Sequence, residues 1–308
     1  MSNAEHAFVY SAQPSRVVFG SGSLGRLADE VKAIGAKKAL VLCTPEQRKQ
    51  AQVAADLLGP LSVGIYDGAQ MHVPIESARK AREHARSLGA DCMVAIGGGS
   101  TIGLGKAIAL ESTVPIVAVP TTYAGSEMTP IYGITEDKVK KTGRDLRVLP
   151  KTVIYDPELS ATLPVRMSIV SGMNAIAHAA EGLYAKDGNP VMSLMAEEGI
   201  RALATGMRGV FASSSDMPAR SGLTCGAVKA NTNRMKLDQD IALALRLADA
   251  AAAAIKPYFR TVMAERKGDD TPVTMADRAA EEAMRRILTA EVPRDTKIGE
   301  EFGASAGS

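Results

Sequence analysis

Short apolar runs, unbroken by polar positions and separated by helix-length amphipathic segments, fill the first half of this 308-residue chain. Ala39–Cys43 reads as a strand and Pro45–Leu58 as a helix. Ser62–Tyr66 reads as a strand and Ile75–Leu88 as a helix. Cys92–Ile96 is a third strand and leads through Gly97-Gly-Gly-Ser100 into a helix reaching Leu110. Val114–Val119 and Val153–Tyr155 are two further strands. Strands apolar at every position are buried on both faces, and strands alternating with helices pair in parallel. The expected class is therefore α/β, a parallel sheet covered by helices over residues 1–160.

After Pro164 the strand signal stops. Arg166 to Met207 has helical, Ala- and Met-rich spacing. Residues 208–236 carry Ser213-Ser-Ser215, Pro218, Gly222, Gly226 and Asn231-Thr-Asn233, which break a long period and predict a junction or loop. Helical spacing resumes from Leu237 to Phe259. A turn is expected at Lys267–Asp270 and a helix from Thr274 to Glu291, with Thr274 and Asp277 resembling a capping box. Gly303–Ser308 is small and polar, and is expected to fray.

Composition narrows the function classes. A net charge of +2 gives no electrostatic footprint for nucleic acid or an anionic membrane. Aromatics are 4% and Trp is absent, which argues against stacking platforms for single-stranded nucleic acid. No apolar run reaches the ~18–20 residues needed to span a bilayer. The first residues lack the basic and apolar regions of a secretory signal. Cys43, Cys92 and Cys225 are widely spaced and odd in number, which suggests a reducing compartment, with the cytoplasm as default.

Two loops carry the chemistry. Gly97-Gly98-Gly99-Ser100 lies between a strand and a helix, where small residues let an anion approach the backbone and the helix start offers unpaired N–H groups. The plainer alternative is a tight strand-to-helix turn. The next strand ends in Pro120-Thr121-Thr122-Tyr123-Ala124-Gly125-Ser126-Glu127, whose hydroxyls can face the same crevice. Two such loops after neighbouring strands favour a nucleotide site.

These motifs, with Asp156-Pro157 and Ser171-Gly-Met-Asn174-Ala-Ile-Ala-His178, stand in an order that resembles the iron-containing alcohol dehydrogenase superfamily. Asp67-Gly-Ala-Gln-Met-His-Val-Pro74 and Lys140-Lys-Thr-Gly143 bring the resemblance nearest to maleylacetate reductases, over about residues 8–207. The resemblance implies a dehydroquinate synthase-like dinucleotide-binding domain, then a helical domain with the active site in the cleft. It implies a cytoplasmic NADH- or NADPH-dependent oxidoreductase acting on a small-molecule substrate, reducing maleylacetate to 3-oxoadipate in aromatic compound catabolism. Pyrophosphate would lie on Gly97, Gly98, Gly99 and Ser100, and the nicotinamide half on Thr121 and Thr122. Lys141 would reach a ribose or phosphate, with Lys140 as its rival. The strand ending in Cys43-Thr44 offers no carboxylate to exclude a 2′-phosphate.

Asn174 and His178, at i and i+4, share a helix face and are the implied catalytic pair, orienting or polarising the substrate carbonyl. In metal-dependent relatives an aspartate takes the first position. The neutral amide here is a poor ligand, so no metal requirement is expected. No histidine follows His178. The helical domain is therefore expected to be truncated at 161–207, followed by a junction at 208–236. Residues 237–303 form a further segment, of which 237–302 resemble the opening of the inositol monophosphatase family. There Glu300 and Asp277 would be Mg²⁺ ligands, though two isolated carboxylates cannot hold a two-metal clamp. Alternatives to a working reductase are a non-catalytic dinucleotide-binding remnant of a gene fusion and a Mg²⁺-dependent phosphomonoesterase. Truncation would also leave Ile169, Met173, Ile176, Ala177 and Ala180 without partners. That predicts loose packing from about 165 onward, unless later helices or the second subunit of a homodimer cover them.

Overall fold

Runs with no polar position belong inside a sheet covered on both faces, and the computed structural model of the chain puts them there. It describes residues 8, 15–137, 139–185, 188–232, 250–251, 253–258, 265–266, 272–273, 275–291, 297–299 and 303–305. The chain divides into two compact units, Met1–Leu237 and Asp238–Ser308. The strands described in the first are β1 (Arg16–Phe19), β2 (Ala39–Leu42), β3 (Ser62–Tyr66), β4 (Cys92–Gly97), β5 (Ile116–Pro120), β6 (Ile131–Glu136), β7 (Val139–Arg144) and β8 (Thr152–Tyr155). Six of them pair in parallel in the order β1-β8-β5-β4-β2-β3. β2, β4, β5 and β8 are buried at every position. Helices α1 (Leu27–Ala33), α2 (Arg48–Leu58), α3 (Ile75–Ser87) and α4 (Gly99–Ser112) cover the sheet.

The pleat divides each strand between two cores. Ala39, Val41 and Cys43 pack with Leu27 and Val31 of α1 and Ala51, Ala54 and Leu58 of α2. Leu40 and Leu42 pack on the other side, with Ala78, Ala81 and Ala85 of α3 and Leu104, Ala107 and Ile108 of α4. From β2 the chain steps outward to β3, then returns across β2 to β4. The winding direction thus reverses between β2 and β4, and in open α/β sheets such a reversal opens a crevice at the carboxyl ends of the strands. Three elements go beyond the sequence reading: β1, α1, and the antiparallel hairpin β6–β7.

The largest correction concerns residues 208–236. Of the expected loop, residues 208–212 and 217–232 are helical, and 233–236 lie outside the described residues. Helix α5 (Val165–Tyr184) is followed by α6 (Pro190–Ala212), which starts where the Asn189 side chain accepts the Met192 N–H, and by α7 (Met217–Thr232). Gly226, read as a breaker, and Gly206 of α6 are points of close helix contact, whereas a Cβ at Gly222 would meet only the Gly206 Cα at 3.9 Å. A Cβ at Gly206 would sit 2.7 Å from the Leu223 nitrogen, and one at Gly226 2.8 Å from the Leu203 nitrogen. Without those side chains α6 and α7 approach backbone to backbone and bury Ala175, Ala179, Ala196, Leu203, Val210, Leu223, Ala227 and Ala230 together with Tyr123. Ile169 and Ile176 pack against this cluster. Both thus have partners in the helical layer, whereas Met173 is 52% exposed and Ala177 is exposed beside it.

This packing predicts the sign of a conservative change. Gly226→Ala gains up to about 1 kcal/mol of helix propensity. The new methyl meets backbone that cannot rotate away, at an overpacking cost of about 1–3 kcal/mol. A net loss of about 1–2 kcal/mol is expected, seen as a lower urea midpoint with an unchanged m-value.

In the second unit, Glu265–Arg266 pairs with Pro272–Val273, and a helix spans Met275–Glu291. Gly303–Ser305, expected to fray, instead pairs antiparallel with Lys297–Gly299. Of the expected helix 237–259, residues 250–251 and 253–258 are described: 250–251 and 253–255 are α-helical and Lys256–Tyr258 is a 3-10 turn. The turn at 267–270, Thr274 of the expected capping box, Glu300 and residues 306–308 lie outside the described residues. Among the described residues no helix is long and apolar enough to cross a membrane.

Candidate active site

Register builds the site first. Gly97 at the end of β4 lies opposite Pro120 at the end of β5, and the Thr121 N–H donates to the Gly97 carbonyl at 3.1 Å. The two loops singled out in the sequence therefore leave the sheet side by side. Gly97 has φ +151°, and a Cβ there would lie 2.5 Å from both Gln47 Oε1 and Thr101 Oγ1, so only glycine fits. Gln47 enters from the end of β2, and its Nε2 donates to Thr121 Oγ1 at 2.9 Å. Gly98 caps α4 with extended backbone and no side chain. Above Gly99 the space is open: a Cβ there would touch nothing within 4 Å. The first turn of α4 thus presents backbone N–H groups and the positive end of the helix dipole to open space, which suits a phosphate.

Beside this helix start lies a cavity of about 410 Å³, walled by Gly99, Ser100, Gly103 and Lys106 of α4. The loop after β5, hairpin residues Tyr132, Gly133, Lys140 and Thr142, and Asn174 of α5 complete it with Met71, His72 and Val73. His72 and Val73 are both left-handed, at φ 63° and 49°. The hairpin holds them there, since Thr135 Oγ1 donates to the His72 carbonyl at 2.7 Å and the Thr135 N–H to the Val73 carbonyl at 3.0 Å. Consecutive non-glycine residues in that region are backbone strain stored at the cavity wall.

The cavity gathers some of the expected residues and not others. Gly99, Ser100 and Asn174 line it. Thr121 is buried against Gln47, and Thr122 packs over Gly98. Lys141 does not line the cavity. Its Nζ is paired with Glu136 Oε2 at 2.6 Å, whereas Lys140 and Thr142 face the cavity. The strand period of two sends neighbouring side chains to opposite faces, so only one of the two lysines can reach in. Ion pairing with Lys141 holds the Glu136 carboxyl below its usual range.

The sequence does not announce the structural roles of several residues that frame the site. Lys106 is fully buried, and its ammonium donates to the carbonyls of Ser126, Thr129 and Ile131 at 2.6, 2.8 and 2.6 Å, tying the loop after β5 to α4. Asn231 of α7 covers Gly125, where a Cβ would fall 2.0 Å from its side chain, and donates to the Tyr123 carbonyl at 3.4 Å. Ser171 Oγ of α5 accepts the Tyr123 N–H at 3.1 Å. Tyr155 donates to Glu127 Oε1 at 2.7 Å, and burial, reinforced by that carboxylate, keeps the phenol protonated. The helical layer thus shapes the second loop. Burial pushes the Cys43 thiol up to about 11 and the Cys92 thiol up to about 12, so neither serves as a nucleophile.

On α5, Asn174 Nδ2 lies 3.3 Å from His178 Nε2, and His178 Nδ1 lies 3.3 Å from Glu181 Oε2. This donor set does not suit a divalent ion. Its amide is a weak ligand, and among the described residues no three His, Cys, Asp or Glu side chains converge. Asp277, the other metal candidate, stands in the first turn of the Met275–Glu291 helix.

The family model of iron-containing alcohol dehydrogenase matches residues 14–157, and that of the Fe-containing alcohol dehydrogenase family C-terminal region matches 168–245. The chain belongs to the iron-containing alcohol dehydrogenase family. The second match carries the family's helical region through 208–236, past the limit of 207 expected from the sequence. A maleylacetate reductase of Burkholderia cepacia is 61% identical over 222 residues, which cover 72% of this chain and 63% of that protein. The chain therefore spans less than two thirds of the length of this curated relative. The maleylacetate reductase structure from Agrobacterium tumefaciens superposes with TM-score 0.76 at 45% identity, covering 82% of this chain and 71% of that one. That from Rhizobium sp. superposes with TM-score 0.74 at 40% identity, covering 91% and 85%. The six-stranded parallel sheet and the helices after it are thus the fold of this dehydrogenase family.

Proposed function

We propose that the chain is an oxidoreductase of the maleylacetate reductase type, using NADH or NADPH to reduce a maleylacetate-like enone dicarboxylate. One observation carries the reading: Gly99, open above the start of α4, and Asn174 of α5 line the same cavity. The 61% identity to a maleylacetate reductase supports the substrate class.

Gly97, Gly98, Gly99 and Ser100 would hold the diphosphate, with Thr121 and Thr122 shaping the nicotinamide side and Lys140 replacing Lys141 as the cation toward a ribose or phosphate. When bound, the reduced nicotinamide supplies the hydride. On such an enone, reduction at the carbon β to the ketone would shift the alkene pair into the bond between the α carbon and the carbonyl carbon and the carbonyl π pair onto its oxygen, with a proton from solvent then returned to the α carbon. Asn174 would donate an amide N–H to the oxygen as charge develops there. Val73, which is buried, and Ile131 would supply the apolar part of the wall. No metal enters this scheme, because Asn174 stands in the site as a neutral amide. Three free cysteines fit a reducing cytoplasm.

Oxidation of NADH in the presence of maleylacetate tests the reading. A rate well above a heat-killed control is expected, unchanged after dialysis against a chelator. Dinucleotide binding by calorimetry without turnover would remove the activity and leave the nucleotide seat. Loss of the rate on chelation, restored by iron or zinc, would overturn the metal-free scheme.

A further inference from the structure

Asn174, His178 and Glu181 stand at i, i+4 and i+7 on α5, one stripe of one helix. Only the first lines the cavity. His178 lies behind it with its side chain 10% exposed, and Glu181 lies behind His178. We infer that Glu181 is a positioning residue of the site, fixing through the His178 ring which atoms of Asn174 face the cavity. This rests on the reading of the cavity as the reductase site.

Donor bookkeeping carries the argument. With Asn174 Nδ2 donating to His178 Nε2, that ring nitrogen must offer its lone pair, so the neutral ring bears its proton on Nδ1. The Nδ1–H then points at Glu181 Oε2, a carboxylate that can only accept. Both contacts are satisfied together or broken together. In the opposite tautomer an Nε2–H would face the amide N–H, and a bare Nδ1 lone pair would face the carboxylate, so each end would be repulsive. A half-turn of the Asn174 amide would repair the first of these, setting its oxygen against the ring and turning the NH₂ outward.

With the relay intact, Asn174 keeps its oxygen and its second N–H for the cavity, in a fixed arrangement. A carbonyl oxygen that gathers charge then meets one pre-aimed donor, and that donor needs no reorientation during the reaction. Glu181 never touches the substrate. Its effect passes through the tautomer of His178, as an outer partner sets the working tautomer of an imidazole.

The tautomer is directly readable. The chain has four histidines, His6, His72, His84 and His178. Long-range ¹H–¹⁵N spectra of the labelled full chain at alkaline pH, with His178→Asn for assignment, report which nitrogen of His178 is protonated. The expected result is Nδ1–H in the wild type, conversion to Nε2–H in Glu181→Ala, and retention of Nδ1–H in Glu181→Gln, whose amide oxygen still accepts. In the turnover assay Glu181→Ala should lower kcat about tenfold or more with KM within about twofold, and Glu181→Gln should regain most of it. An Nε2–H tautomer in the wild type, or an Nδ1–H tautomer that survives in folded Glu181→Ala, overturns the inference. The wild-type spectrum alone decides it if Glu181→Ala does not fold. A wild type with no turnover but the expected tautomers would remove the reductase activity and keep the relay.

Discussion

Gly99→Asp is expected to abolish dinucleotide binding while leaving the fold untouched. The position separates the two effects because a side chain added there meets nothing within 4 Å, unlike one at Gly98, which would press on Thr122 at 3.1 Å. An aspartate in the first turn of α4 interacts favourably with the helix dipole, by about 0.3–1 kcal/mol, so stability should hold or rise slightly. The same carboxylate occupies the seat of the diphosphate. Two like charges about 4 Å apart near a protein surface repel by about 4 kcal/mol, and at about 1.4 kcal/mol per decade that amounts to several hundredfold in Kd. Calorimetric titration with NADH and with NADPH should both collapse, with the thermal transition unchanged. Gly99→Ala, which adds bulk without charge, should weaken binding far less. Equal binding by wild type and Gly99→Asp would place the dinucleotide elsewhere and remove the nucleotide seat.

Legibility followed burial. The strands β2, β4 and β5 could be read because a strand apolar on both faces has no polar position to confuse its pattern. The two loops could be read because the same strands deliver them to one edge. The hairpin could not: Val139-Lys-Lys-Thr-Gly-Arg144 is exposed over most of its length and shows no apolar alternation. That is also why Lys140 and Lys141 could not be told apart, since the register with Ile131–Glu136 decides which face each takes. Helix α7 was hidden for the opposite reason. Its Gly222 and Gly226 weaken the local helical signal, and the compensation is a close contact with Gly199, Leu203 and Gly206 of α6, far away in sequence. A single sequence records the cost of those glycines locally and their benefit nowhere. Asn174 and His178 entered as candidates through the family resemblance, their spacing adding only that they share a helix face. The difference between the two, one at the cavity and one behind it, required the cavity itself.

Lys106→Met is expected to cost more stability than any other single change considered for this chain. The ammonium holds the carbonyls of Ser126, Thr129 and Ile131, and at 3.2 Å the Thr129 hydroxyl. Methionine keeps the apolar stem but donates nothing, so three carbonyls lose their donor at once. A buried polar group left without a partner costs about 1–3 kcal/mol. Relaxation of the loop would recover part of that by admitting water, which leaves about 3–5 kcal/mol of a typical 5–15. The loss should fall on the loop first. Amides from about 124 to 131 should lose hydrogen-exchange protection before those of β4 and β5, because the strands keep their ladder when the loop lifts. The same loop forms one wall of the cavity, so the variant should bind dinucleotide weakly even at temperatures where the sheet is intact. Lys106→Arg is the control. It restores charge and donors with a longer, planar head, and should recover part of the stability but not the loop geometry, since a guanidinium fork cannot reproduce the fan of directions that one ammonium satisfies. A Lys106→Met protein with wild-type midpoint and wild-type exchange at 124–131 would mean that these carbonyls find other donors, and the lysine would then be a passenger in the core.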